Sequence, residues 1–124
     1  MIEIKKIDNK SAALAAIAKF DLKASENDIV MGVFSGVNVV GAGALSLKGY
    51  KVYLSDLKLD EENANTQMYL SLARSLLFHA DLKGIKNIYA DNEEIFPICK
   101  LLRFKEENEE LALSLEGFFT SECE

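Results

Sequence analysis

Residues 54–104 read LSDLKLDEENANTQMYLSLARSLLFHADLKGIKNIYADNEEIFPICKLLRF. Leu57 and Leu59 alternate with Lys58 and Asp60 at the end of a β-prone run that begins at Tyr50. From Asn65 to Leu82 the apolar residues fall at helical spacing: Met68, Leu72, Leu76 and Ala80, with Ala73 and Leu77 beside them. Gly84 stops that helix, Ile85 to Ala90 reads as a short buried strand, and Asn92 to Leu102 as a second helical run. A strand, a helix of about five turns and another strand make a βαβ unit. The spacing predicts that Leu54–Leu59 and Ile85–Ala90 lie parallel and splay at their carboxyl ends. Ligands of such units bind at those ends, where the first helix starts. The residues that matter for function are therefore Asp60 to Tyr69. Leu72, Leu76, Ile85, Ile88, Leu101 and Phe104 are expected in one core. Pro97 lacks a donor N–H and clashes one turn back, so the last helix is expected to start late or kinked.

Upstream, Ile2 to Ile7 alternates apolar and charged residues as a strand does, and Ala12 to Phe20 is an amphipathic helix with Ala13, Ile17 and Phe20 on one side. Asp21 to Asp28 is a polar loop. Ile29–Phe34, Val39–Leu47 and Tyr50–Leu59 are separated by Ser35-Gly36 and Lys48-Gly49, which predicts an antiparallel meander. Gly41 and Gly43 stand inside a strand, where glycine is costly unless something packs closely against it. Downstream, Lys105 to Glu110 is a strand stub and turn. Leu111, Leu113 and Leu115 alternate with smaller or polar residues, and are expected antiparallel to Ile85–Ala90. Phe118 and Phe119 are expected over the sheet edge or against a second copy of the chain.

The length suits one compact domain, 1–124. A net charge of −6 disfavours nucleic acid and anionic membrane surfaces as partners. No apolar run approaches the ~20 residues that span a bilayer. Cys99 and Cys123 stand in no metal-ligand spacing, so no metal site and a reducing cytoplasm are the expectation.

The order β-α-β-β-β-α-β-α-β resembles the GNAT superfamily of N-acetyltransferases. Three stretches carry the likeness. Val33 to Leu45, with Gly36, Val39, Val40, Gly41 and Ala42, is similar to the family's d-G-x-i-V-G-x-a hairpin. Leu57-Lys58-Leu59 is similar to its L-x-V strand end. Asn92-Glu93-Glu94 through Lys100-Leu101-Leu102-Arg103-Phe104-Lys105-Glu106 resembles N-x-x-A-x-x-l-Y-x-k-l-G-F-k-e. The resemblance implies an α/β (α+β) fold with a mixed, mostly antiparallel sheet flanked by helices. It also implies acyl-coenzyme-A-dependent transfer to a small amine or a protein amine. The coenzyme-binding positions it implies are Leu57, Leu59, Ala64, Asn65, Thr66, Gln67, Met68, Tyr69 and Asn92.

The departures fall on the catalytic apparatus. The family's Q/R-x-x-G-x-G/A, whose N–H groups cradle the pyrophosphate, corresponds to Ala64-Asn65-Thr66-Gln67-Met68-Tyr69. Both glycine positions carry side chains, and Ala64 replaces the Q/R residue. The family's proton-donating tyrosine corresponds to Cys99, and the glycine of l-G-F to Arg103. Asp60, Glu61 and Glu62 crowd the helix start. They read either as favourable helix-start charge or, for Asp56, Asp60 and Glu61, as groups that deprotonate an amine through water. Cys99 reads either as a buried core residue or as a proton donor or nucleophile. Acetyl-coenzyme A is expected to bind weakly or not at all, because anion-cradling N–H groups are obstructed and acidic charge repels phosphate. The alternative to transfer is a GNAT-like binding or dimerisation module.

Overall fold

The computed structural model describes residues 2–118; Met1, Phe119 and Cys123 lie outside the described residues. The elements are β1 (Ile2–Lys6), α1 (Lys10–Phe20), β2 (Ile29–Ser35), β3 (Asn38–Lys48), β4 (Lys51–Leu59), α2 (Thr66–Leu82) and β5 (Asn87–Ala90). A 3₁₀ turn (Glu93–Ile95), α3 (Phe96–Leu101), β6 (Lys105–Glu107) and β7 (Glu110–Ser114) follow. The strands form one sheet in the order β1-β2-β3-β4-β5-β7-β6. All pairings are antiparallel except β4 with β5. The mixed, mostly antiparallel sheet is the one expected, with one strand more. β6 is the stub, joined to β7 through Asn108 and Glu109, both at positive φ (51° and 69°) as a tight hairpin turn requires.

α2 and α3 cover one face. Leu72, Ala73, Leu76, Leu77 and Ala80 bury the inner side of α2 against Leu45, Leu54, Leu57 and Ile88. α1 covers part of the other face, placing Ala13 and Ala16 over Val30, Ala42 and Ala44. Small residues on both sides let the helix approach. A Cβ on Gly43 would lie 2.9 Å from Leu76 Cδ1 and 3.1 Å from the Asp56 carbonyl, so this glycine serves close packing under α2.

Some expectations need correction. Leu101 is 59% exposed and Leu102 is buried in its place. The 3₁₀ turn and the Pro97 start shift the phase of the last helix, so its inner face is Ile95, Cys99 and Leu102. Ile85 is half-buried, because it precedes β5 rather than lying in it. β4 and β5 pair only at Val52–Ile88 and Tyr53–Tyr89, so the splay begins at Leu54. Phe118 packs against the core. Among the described residues no helix is long and apolar enough to cross a membrane.

Candidate functional site

The split between β4 and β5 is where a ligand site is possible, and its geometry starts from a bulge. β3 pairs Ala44 with Asp56 and Leu45 with Leu54, leaving Ser55 unpaired. A bulge places two consecutive residues against one and re-aims side chains. Leu54 and Leu57 both enter the core under α2, while Ser55 and Asp56 are tied to the loop after α1. Ser55 Oγ bonds Ser46 Oγ, which donates to Asp28 Oδ2 at 2.7 Å.

Asp56 is fully buried and accepts from three donors. They are the Lys23 N–H at 2.9 Å, the Leu57 N–H at 2.9 Å and Asn92 Nδ2 at 3.2 Å. Asn92 Nδ2 also donates to the Ser55 carbonyl at 3.0 Å. Asn92 Oδ1 accepts from the Glu94 N–H at 3.1 Å and Lys23 Nζ at 3.4 Å. A buried carboxylate is tolerable only when donors surround it, and these do. The result is a polar knot that plugs the split at its apex.

Beyond the knot lies an open cleft of about 410 Å³. Leu57 and Lys58 line it from β4, Ala64, Asn65, Thr66 and Tyr69 from the start of α2, and Glu94, Ile95 and Ile98 from the opposite wall. Lys58 Nζ lies 3.4 Å from Glu94 Oε2, and Lys23 Nζ 3.8 Å from Glu94 Oε1. Burial acts to lower the Lys58 pKa, but the charge of Asp56, the bond and charge of Glu94 and the charge of Asp21 outweigh it and move it upward. Lys58 is a cation paired with Glu94, a carboxylate it shares with Lys23.

The start of α2 is closed by its own cap. Asn65 is extended, and its Oδ1 accepts the Met68 N–H at 2.9 Å. Asp60 is engaged in the preceding turn, accepting Asn63 N–H at 3.1 Å and Asn63 Nδ2 at 2.7 Å. Asp60, Glu61 and Glu62 line a different hollow, shared with Lys19, Ser35 and Asn38. Cys99 is buried in the core, and burial pushes its thiol up to about 12. The three catalytic candidates Asp60, Glu61 and Cys99 are thus not brought together. Of the implied coenzyme positions, Leu57, Ala64, Asn65, Thr66 and Tyr69 line the cleft, whereas Leu59, Gln67 and Met68 do not. Asn92 belongs to the knot. His79 sits on α2 beside β1 with Nε2 buried and no bonding partner in the described structure; burial, then the Lys6 and Lys83 charges, lower its pKa.

Lys23 and Ser55 were missed from sequence. Ser55 had a signal, Ser55-Asp56 breaking strict alternation between Leu54 and Leu57 as a bulge does, whereas Lys23 had none.

This architecture is the GNAT N-acetyltransferase fold. The IAA acetyltransferase from Bacillus cereus ATCC 14579 superposes with a TM-score of 0.70 at 13% identity, covering 93% of this chain and 100% of that one. A GNAT family acetyltransferase from Elizabethkingia anophelis with acetyl-CoA bound gives 0.68 at 11% identity, covering 92% and 98%. The KacTA–DNA complex gives 0.68 at 15% identity, covering 99% of each chain. The sequence matches no protein-family model and no curated protein.

Several polar groups at the start of α2 and at the apex of the split are already engaged by the protein's own side chains. The Met68 N–H at the start of α2 is held by Asn65. The Tyr69 side chain lines the cleft. The Leu57 N–H at the apex is held by Asp56. The cleft cation Lys58 is bound to Glu94.

Proposed function

We propose that this chain is a GNAT-fold binding module of a single domain that no longer transfers acyl groups from coenzyme A. The observation that carries the reading is the knot of Asp56, Asn92 and Lys23. It consumes the Leu57 N–H and the Ser55 carbonyl where β4 and β5 part. Backbone groups opened by a strand split are what an inserted ligand bonds to, and here the protein's own side chains take them. The fully buried carboxylate is also a poor neighbour for an anion. The cleft beyond it mixes apolar side chains (Leu57, Ile95, Ile98) with polar ones (Asn65, Thr66 and the Lys58–Glu94 pair), a lining suited to a small uncharged or zwitterionic ligand or a protein segment.

A second reading, acyl-coenzyme-A-dependent N-acetyl transfer to a small amine or a protein amine, is favoured by the retained splay and the open cleft. In that reading Asp60 and Glu61 would serve the amine from the neighbouring hollow. Nucleic acid fits neither reading, because the net charge of −6 opposes phosphate. Calorimetric titration with acetyl-coenzyme A at low salt separates the two. Absence of micromolar binding supports the module; micromolar or tighter binding establishes the coenzyme site and overturns it.

A further inference from the structure

β1 ends the sheet, and its outer side has no strand beside it among the described residues. Its orientation follows from one bond: the Ile7 N–H donates to the Val30 carbonyl at 2.9 Å, so Ile7 faces β2. Successive residues of an antiparallel strand alternate between facing the partner and facing away. Glu3 and Lys5 therefore bond towards β2, and the N–H and C=O groups of Ile2, Ile4 and Lys6 point out of the sheet. Such an edge is a template for another strand unless charge or shape blunts it. Lysines usually blunt it. Here Lys5 shares its face with Glu3, which changes the outcome.

We propose that β1 pairs antiparallel with β1 of a second copy of this chain, about a two-fold axis through Ile4. Outward-bonding residues must oppose outward-bonding residues, so the register can shift only in steps of two. With Ile4 opposite Ile4, Glu3 of each copy stands against Lys5 of the other. A shift of two one way sets Glu3 against Glu3, and the other way Lys5 against Lys5. Directly opposed like charges destabilise a sheet and opposite charges stabilise it, so the charges select one register. Lys5 is already held on that face, its Nζ 4.9 Å from the Phe34 ring centre.

The opposite face supplies the apolar area. Ile2, Phe78 and Leu82 are 38%, 48% and 70% exposed, and Ile4, Phe78 and Leu82 line one hollow between β1 and α2. Pairing at Ile4 sets Ile4 against Ile4 on this face and Ile2 beside the aliphatic stem of the other copy's Lys6. The interface is isologous, as a closed two-fold dimer requires. It is independent of the cleft and of what the cleft binds.

The test is sedimentation velocity at low salt, from micromolar to several hundred micromolar chain. The wild type is expected to dimerise. Glu3→Lys and Lys5→Glu each create like-charge pairs on both sides of the axis, and each should weaken the dimer by about tenfold or more. The double variant Glu3→Lys/Lys5→Glu restores opposite charges and should return to within about threefold of wild type. Glu3→Lys leaves the Lys5–Phe34 contact in place, and circular dichroism confirms folding of each variant. A wild type that stays monomeric overturns the proposal. So does a dimer that the single variants leave unchanged, or one that the double variant fails to restore.

Discussion

Asn92 Nδ2 reaches across the parting of β4 and β5 to donate to the Ser55 carbonyl at 3.0 Å. A parallel pair that separates after Tyr53 leaves backbone groups of β4 without a strand partner on that side. Asn92 satisfies one of them, and Asp56 the next. Side chains of the protein itself bridge the split. Removing the brace should be costly, since Asn92→Ala strands a buried carbonyl and takes one donor from a buried carboxylate. The expected loss is about 1–3 kcal/mol in urea unfolding. A loss below about 0.5 kcal/mol, the scale of a surface change, would show that water replaces the amide.

Leu76 and Leu101 form a second, paired prediction. Leu76 is fully buried under the sheet, and Leu101 is mostly exposed. Leu76→Ala should cost about 2–5 kcal/mol. Leu101→Ala should stay within about 0.5 kcal/mol. Comparable losses for both would mean that the inner face of α3 has been misassigned.

That assignment marks the limit of what was legible in the sequence. α2 and the meander were readable because their apolar residues keep one period over a long run. α3 was not, because it has only six residues, and the preceding 3₁₀ turn advances the chain by a different angle per residue. Leu101 and Leu102 are chemically alike, so only the phase separates core from surface. The same holds at the site. The cleft walls at Ala64–Thr66 and Tyr69 follow from the helix start, which Asn65 signals locally. The knot joins Lys23, Asp56 and Asn92 from three distant segments, and no local pattern records that meeting.

Arg103 ends α3 in the left-handed region, with φ 73°. A side chain there is strained by about 1–2 kcal/mol, and glycine is free of that strain but gains freedom in the unfolded chain. Arg103→Gly is therefore expected to raise stability by about 0.5–1 kcal/mol, read as an increased urea midpoint. An unchanged or lowered midpoint would mean that the arginine side chain contributes more than the strain costs.

Tyr53 and Glu110 give the pH dependence. The Tyr53 hydroxyl donates to Glu110 Oε2, and Lys51 Nζ lies 3.2 Å from Oε1. The tyrosine bond, more than the lysine, lowers the Glu110 pKa below its usual 4.5; the same bond, then burial, pushes Tyr53 up to about 12. A depressed acid stabilises the fold above its unfolded pKa, and that contribution fades as pH falls through the folded value. The raised phenol contributes fully below pH 10 and loses its contribution between there and about 12. The stability difference between wild type and Tyr53→Phe should thus be flat through neutral pH and shrink below about 4.5. A difference that stays constant into acid would show that this pair does not form in solution.

Coenzyme A provides the decisive comparison for the cleft. A pyrophosphate at the start of α2 would need charge-assisted bonds of about 1.5–3 kcal/mol each, and losing two or three removes about 3–9 kcal/mol. A micromolar site holds about 8 kcal/mol in total, so wild type should show no useful affinity. The variant Ala64→Arg/Gln67→Gly/Tyr69→Gly adds a cation and clears the Tyr69 ring from the cleft, while Asn65 keeps the Met68 N–H. It is expected to gain measurable coenzyme A binding at low salt while remaining without acetyl transfer, because Asp56 still holds the Leu57 N–H at the apex. Micromolar binding by wild type would establish a coenzyme site despite these side chains. Binding by neither protein would place the obstruction at the knot and not at the helix start. Binding by the variant alone would mean that the cleft retains a coenzyme-sized shape on a scaffold without its phosphate cradle, and that the native occupant is recognised by the mixed polar and apolar lining instead.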